Sequence, residues 1–228
     1  MTTPNPKDNA THWRTRLKAA RAQISPADRS RGALLIRARL FTWLATHRQE
    51  QLERGQATGV LPAPMRIAAF WPMDHEPDLR ALMTQWVLEH DLTVALPVIE
   101  AAGQPLSFRR WHPDGPMVKG AYGIDIPAEG EPVRPNVVLV PTLGFTADAD
   151  RLGYGAGFYD RTLAGLREDG QAMTTIGIAW AACELDASYA PAPHDQPLDA
   201  ILTEDGWTPA APGSDPGPKT RSLYSVRL

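Results

Sequence analysis

The sequence predicts an α/β fold, and two observations carry the prediction. Residues 67–96 read as strand, helix, strand, the βαβ unit that runs parallel when both strands share a sheet. Residues 137–140, Val-Val-Leu-Val, read as a central strand from their β-branched apolar content, and a glycine-rich turn and a further helix follow them.

The elements follow in chain order. Residues 1–9 are polar, contain Pro4 and Pro6, and read as frayed. Residues 11–23 read as a basic helix, with Arg14, Arg16, Lys18 and Arg21 beside Trp13 and Leu17. Arg14, Lys18 and Arg21 fall about one turn apart and so share a face; solvent is the default for such a face, phosphate the alternative. Ser25-Pro26-Ala27-Asp28 is a helix start. The serine oxygen can accept a free amide, proline is fixed near helical φ, and the early acid meets the helix dipole favourably. Ile36, Leu40 and Trp43 or Leu44 recur at helical spacing.

Residues 47–64 are polar, hold Gly55, Gly59, Pro62 and Pro64, and read as a surface loop or insertion. Residues 67–71 form the first convincing strand. Glu76-Pro77-Asp78 opens a helix bearing Leu79, Leu82, Met83, Trp86 and Val87, and residues 92–96 return as a strand. Residues 106–111 alternate partly and suit an edge or hairpin strand, and the run to Pro135 reads as mostly loop. Beyond the central strand, 158–166 is a helix, and 175–180 and 200–202 are strands. Residues 209–219 are too rich in Pro, Gly and Ala to pack, and read as a disordered tail.

Bulk properties exclude several classes. The 228 residues suffice for one domain of about 150 to 200 residues with ragged ends. A net charge of −3 argues against non-specific attraction to nucleic acid. Cys183 is the single cysteine, which excludes an intrachain disulfide framework, fits a reducing compartment and suits a small buried side chain. No apolar run approaches the roughly 20 residues that span a bilayer, and the first eight residues lack an apolar signal core. A soluble cytoplasmic protein is the expectation.

The candidate site centres on residues 151–161. Gly153, Gly155 and Gly157 fall within five positions, between Arg151 and the pair Asp160-Arg161. Such density suits a chain that turns tightly or lets a ligand approach its backbone. A strand, a glycine turn and a helix start together make an anion cradle. The run is neither a Walker loop, lacking Gly-Lys-Ser/Thr, nor the dinucleotide fingerprint, whose glycines are spaced differently. A tight structural turn is the plain alternative; the flanking charges favour phosphate, since Arg151 can make charge-assisted bonds to it and Asp160 is a hard oxygen ligand suited to magnesium. Asp195 stands in a loop before the last strand, either as a cap or as a ligand. Glu76 follows the strand end at Trp71, the edge where open α/β sheets bind ligands, and suits a flat polar ring or a helix cap. Tyr122, in Tyr122-Gly123-Ile124, could line a pocket or cover the core. No His and Cys group has zinc-ligand spacing.

The run Gly144-Phe145 … Arg151-Leu152-Gly153-Tyr154-Gly155-Ala156-Gly157-Phe158-Tyr159-Asp160-Arg161 closely resembles the signature of the 5-formyltetrahydrofolate cyclo-ligase, or methenyltetrahydrofolate synthetase, family. Trp13-Arg14 with Arg21 and Ser25, Phe70-Trp71-Pro72 … Glu76, Leu96-Pro97-Val98, Gly120 to Ile124, Ile176 to Ala179 and His194-Asp195 … Asp199 resemble further landmarks in the right order, over residues 11–207.

The resemblance implies a three-layer α/β sandwich with a mostly parallel central sheet, of the sugar-phosphate-isomerase and CoA-transferase type. It would form one domain over 11–207, with flexible termini at 1–10 and 208–228. It implies ATP- and Mg²⁺-dependent cyclisation of the reduced folate 5-formyltetrahydrofolate to 5,10-methenyltetrahydrofolate, with release of ADP and phosphate through a phosphorylated formyl group. Arg14 and residues 151–159 (Arg151, Leu152, Gly153, Tyr154, Gly155, Ala156, Gly157, Phe158 and Tyr159) would take the nucleotide. Arg14, Trp71, Glu76, Tyr122, Tyr154, Gly155, Ala156, Gly157 and Phe158 would take the folate. Asp160 and Asp195 would hold the metal, and Arg151, Tyr154 and Asp160 would act in catalysis, in a monomer without nucleic-acid or membrane partners.

Departures from the family pattern are Ala10 in place of a lysine, with Lys7 as a possible substitute, together with Thr146, Ala149-Asp150 and Ala156. An isomerase or transferase of the same fold, or a folate-binding protein without catalysis, are the alternatives that ATP turnover would separate.

Overall fold

The structure is a computed structural model describing residues 6–170, 172–186 and 188–213, with side chains from Ala10 onward. Two helices lead. Helix α1 spans Pro6–Gln23, so residues 6–9 are helical rather than frayed, and α2 spans Pro26–Thr58. The start of α2 forms as its sequence dictates: Ser25 is extended (φ −62°, ψ 153°), and its Oγ accepts the Asp28 amide at 3.1 Å. Its end corrects the loop expected at 47–64, because the helix runs on to Thr58 and closes at Gly59 with φ 72°. Gly55 misleads as a breaker. A Cβ there would lie 2.7 Å from the Val60 carbonyl oxygen and 2.8 Å from Pro62 Cδ, so the glycine admits the chain folding back beyond the helix.

The remaining elements are β1 (Arg66–Ala68), α3 (Arg80–Leu88), β2 (Thr93–Val98), β3 (Ser107–Arg110), β4 (Met117–Lys119), β5 (Asp125–Pro127), β6 (Val137–Pro141), β7 (Gly144–Phe145), β8 (Arg151–Leu152), α4 (Phe158–Glu168), β9 (Thr174–Ile178), β10 (Ala200–Leu202) and β11 (Trp207–Thr208). The central sheet has seven strands in the order β11-β10-β9-β6-β1-β2-β3. Strands β10, β9, β6, β1 and β2 run parallel, and β11 and β3 close the edges antiparallel. The expected βαβ unit is β1–α3–β2, with Ile67 beside Val94, and the expected edge strand is β3. Helix α3 begins at Arg80, later than expected, where Asp78 Oδ1 accepts the Arg80 amide at 2.9 Å.

Side-chain alternation along the strands splits the core in two. Ile67, Val94, Leu96, Leu139, Ile176 and Leu202 pack with Trp13 and Leu17 of α1, Ile36 and Leu40 of α2, and Met83 and Trp86 of α3. Ala68, Ala95, Val138, Val140 and Ile201 pack on the other face with Leu163 of α4. Helices therefore cover both faces, and the β-strand carboxyl ends are left for a site.

Two further expectations need correction. The run to Pro135 is not mostly loop: β4 and β5 pair as an antiparallel ribbon, tied by the Lys119–Asp125 ion pair at 2.8 Å. The tail packs at its start, where Trp43 Nε1 donates to the Pro212 carbonyl at 2.9 Å and Ala211 lies against the core. Proline lacks an amide but keeps its acceptor, so a proline-rich segment can still be pinned this way. Residues 214–219 lie outside the described residues. No helix among the described residues is long and apolar enough to cross a membrane.

Candidate active site

The chain segments leaving β1, β2 and β6 converge on one cavity of about 450 Å³. Phe70, Trp71 and Glu76 enter from beyond β1, Pro97 and Ile99 from β2, and Pro141 from β6. The β4–β5 ribbon supplies Tyr122, Ile124 and Ile126, and residues 153–160 supply a further part of the lining. A second cavity of about 620 Å³ adjoins it and shares Trp71, Met73, Tyr122, Ile124 and Tyr154.

The glycine loop is built around arginines. A Cβ on Gly153 would sit 2.7 Å from Arg151 Nη1, one on Gly155 3.1 Å from Arg14 Cζ, and one on Gly157 2.7 Å from Arg161 Nη1. Each glycine thus leaves the space that a guanidinium fills. Gly155 and Gly157 also carry positive φ, 98° and 67°, which a side chain would strain. The arginines are held: Arg14 Nε donates to the Gly153 carbonyl at 2.9 Å, Arg161 Nη2 to the Ala156 carbonyl at 2.8 Å, and Arg151 Nη2 to Asp160 Oδ1 at 2.6 Å. Helix α4 starts at Phe158 with no side-chain cap, and Phe158, Tyr159 and Asp160 of its first turn line the cavity. Uncapped first-turn amides beside Arg14 and Arg151 suit an anion.

Glu76 borders the same cavity and is held in a buried network. Its Oε1 accepts the Tyr154 hydroxyl at 2.5 Å, and its Oε2 accepts the Met73 amide at 2.9 Å. Arg21 Nη1 donates to the Tyr154 oxygen at 2.7 Å, lies 3.9 Å from Glu76 Oε1, and its Nη2 donates to the Thr142 carbonyl. Burial pushes the Glu76 carboxyl above its ordinary value, while the Tyr154 and Met73 bonds and Arg21 oppose the rise. Burial likewise pushes the Tyr154 phenol up, helped by the neighbouring carboxylate, so it stays a hydrogen-bond donor at neutral pH.

Asp160 and Asp195 both border the cavity. Asp160 Oδ1 accepts Arg151 and, at 3.2 Å, the Gln196 amide; Asp195 Oδ2 accepts the Ala192 amide at 2.8 Å. Among the described residues no group of three or more His, Cys, Asp or Glu could cage a metal. A sparse pair of carboxylates near these arginines and amides suits magnesium, which takes one or two carboxylates and draws its other ligands from phosphate and water.

Arg14, Trp71, Glu76, Tyr122, Arg151, Gly153, Tyr154, Gly155, Ala156, Gly157, Phe158, Tyr159, Asp160 and Asp195 all line this one cavity. Leu152 does not: its side chain is buried in the core, because strand alternation turns it away from Arg151 and Gly153. Glu76 is no helix cap, and Asp78 takes the helix amide instead. The basic face of α1 is only partly solvated: Arg14 borders the cavity and Arg21 is buried, while Lys18 is exposed. Arg21 and Arg161, neither of which lines the cavity, were not among the expected site residues, although Arg21 stood among the family landmarks and on the Arg14 helix face, and Arg161 closed the signature run. Thr146 closes its own turn, accepting the Asp150 amide on Oγ1 at 3.2 Å, with Ala149 at φ 65°. Ala156 lies outside the positive-φ residues. Ala10 packs against the core, and the Lys7 side chain lies outside the described residues.

The model of the 5-formyltetrahydrofolate cyclo-ligase family matches residues 6–204. The 5-formyltetrahydrofolate cyclo-ligase of Mycolicibacterium smegmatis is 32% identical over 194 residues, covering 79% of this chain and 95% of that protein. The Haemophilus influenzae protein of the same name is 31% identical over 176 residues, covering 73% and 91%. Among solved structures, the 5,10-methenyltetrahydrofolate synthetase of Aquifex aeolicus superposes with a TM-score of 0.67 at 24% identity, covering 93% of this chain and 98% of that one. That of Mycoplasma pneumoniae gives 0.64 at 21% identity, covering 86% and 98%; both likenesses bear on the fold.

Proposed function

This chain belongs to the 5-formyltetrahydrofolate cyclo-ligase family, and from that premise we propose how its own residues divide the work of the reaction. Its activity is that of the family: an ATP-using ligase that converts 5-formyltetrahydrofolate to 5,10-methenyltetrahydrofolate in one-carbon metabolism. The observation that carries our reading is the shared cavity, which brings Arg14, Arg151 and the first turn of α4 together with the Glu76 carboxylate.

Arg14, Arg151 and the first amides of α4 bind the triphosphate, an assignment supported by Gly155 and Gly153, where an added Cβ would crowd the Arg14 and Arg151 guanidinium groups. Among the described residues, buried Arg151 Nε has no hydrogen-bond partner. Glu76 accepts donors of the pterin ring, and Trp71 flanks it. Tyr122 covers the cavity from the β4–β5 ribbon. Asp160 and Asp195 would hold Mg²⁺, which when bound neutralises phosphoryl oxygens.

The formyl oxygen attacks the γ-phosphorus and the bond to ADP breaks. The 10-nitrogen then attacks the formyl carbon and loses its proton, and the phosphorylated oxygen departs as phosphate. Phosphorylation is needed because an amide-like oxygen is a poor leaving group. The protein's share is to align the two reactants and offset charge at the phosphoryl oxygens. No enzyme nucleophile takes part; Cys183 is buried in the core, and burial pushes its thiol up.

The same reading takes the two helix-covered faces as a three-layer sandwich of the sugar-phosphate-isomerase and CoA-transferase type, acting as a cytoplasmic monomer. Mixing the protein with 5-formyltetrahydrofolate, Mg²⁺ and ATP should yield the methenyl chromophore with one ADP per turnover. Product without ATP, or ATP use without product, would sink the proposal.

A further inference from the structure

We propose that Arg21 is a positioning residue for the folate half of the reaction: from beneath the cavity it fixes the Tyr154 hydroxyl and keeps Glu76 in its substrate-accepting form. Arg21 itself lines the adjoining cavity rather than the one that holds the glycine loop. Its side chain is 3% exposed and that of Glu76 2%. One guanidinium joins three parts of the chain: it donates to Tyr154 Oη at 2.7 Å, to the Thr142 carbonyl just past β6, and stands 3.9 Å from Glu76 Oε1. The Tyr154 hydroxyl in turn donates to Glu76 Oε1 at 2.5 Å, so the order is Arg21 to Tyr154 to Glu76. A fork with a fixed angle between its donors suits this arrangement, whereas an ammonium is a single point.

Glu76 would otherwise be a poor carboxylate. Burial favours its protonated form, and a protonated carboxyl loses acceptor capacity. The groups that face it are Arg21 from α1, Tyr154 from the glycine loop, the Tyr159 phenol from α4 and the Met73 amide from its own loop. The Cys183 thiol neighbours Arg21 and is held protonated by burial. Arg21 is the only cation among these, so its removal leaves burial less opposed.

The inference rests on the folate reading of Glu76, and the experiment separates the two. Steady-state kinetics of wild type, Arg21→Met and Arg21→Lys would be followed by methenyl absorbance between pH 5.5 and 8.5, varying folate and ATP in turn. Loss of a buried charged hydrogen bond predicts a folate KM ~10- to 100-fold higher in Arg21→Met, with the ATP KM within ~3-fold of wild type. The acid limb of kcat/KM for folate should move to higher pH in Arg21→Met. In Arg21→Lys it should return to the wild-type position while the folate KM stays raised, because charge is restored without the fork.

Folate and ATP constants that rise together, or an acid limb that stays put in Arg21→Met, would overturn the proposal in favour of a purely structural arginine. Should Arg21→Met not fold, Arg21→Lys decides: a raised folate KM with the wild-type acid limb supports positioning, and an unchanged KM overturns it. A wild-type enzyme that forms no product overturns the folate reading and this inference with it.

Discussion

Replacing Gly153 by alanine isolates the role of Arg151 better than replacing the arginine itself. The backbone of Gly153 is ordinary, without the positive φ of Gly155 and Gly157, so an added methyl introduces no backbone strain. Its new contacts are both with Arg151, Nη1 at 2.7 Å and Cζ at 3.8 Å. The guanidinium must therefore retreat by roughly 0.7 Å to regain ordinary van der Waals distance. It is pinned on its other side by the 2.6 Å bond from Nη2 to Asp160, and its side chain is 4% exposed, so little room exists to absorb the shift. Weakening a charged buried hydrogen bond costs about 1.5 to 3 kcal/mol. If that loss falls on the phosphoryl transition state, kcat/KM for ATP drops about 10- to 150-fold. Initial rates of methenyl formation with ATP varied at saturating folate measure it, and a thermal melt of the same sample reports any loss of fold. An unchanged ATP constant, or a folate constant that worsens equally, would refute the assignment of Arg151 to phosphate.

Three other outcomes are expected. Asp160→Asn should raise the MgATP constant ~10- to 100-fold, since it removes the charge beside Arg151, and leave folate affinity by titration within about 3-fold; equal loss of both would mark Asp160 as a structural partner of Arg151. Glu76 has a carboxyl raised by burial above its ordinary 4.5, so its contribution to stability is full below that pH and is lost as pH rises through the folded value. Glu76→Gln lacks this loss, and its melting temperature should gain on that of wild type as pH rises from 4.5, whereas a constant difference across pH would contradict a buried ionisable group. Gly55→Ala should destabilise despite the ~1 kcal/mol helix preference for alanine, because its Cβ would meet the Val60 carbonyl oxygen at 2.7 Å; a higher denaturation midpoint would show that the chain beyond α2 packs less tightly.

The sequence by itself determined the elements whose signals are local. Ser25-Pro26 caps α2 because cap chemistry needs only neighbouring residues. The central β6, the β1–α3–β2 unit and the start of α4 follow from apolar period and glycine placement. The glycine-rich loop was legible for the same reason: residues that serve one loop sit next to one another in sequence.

What only the tertiary structure decided depends on contacts between distant segments. Gly55 reads as a helix breaker until Val60 and Pro62 are seen against it. Arg21 reads as one more basic residue on a helix face until folding brings Tyr154 and Glu76 to it from 133 residues away and from the loop past β1. Leu152 reads as part of the ligand loop until strand alternation turns it into the core. Local propensity fixes which element a residue belongs to. Which way its side chain faces, and whether a charge there meets water or a buried partner, is set by the packing of elements far apart in the chain.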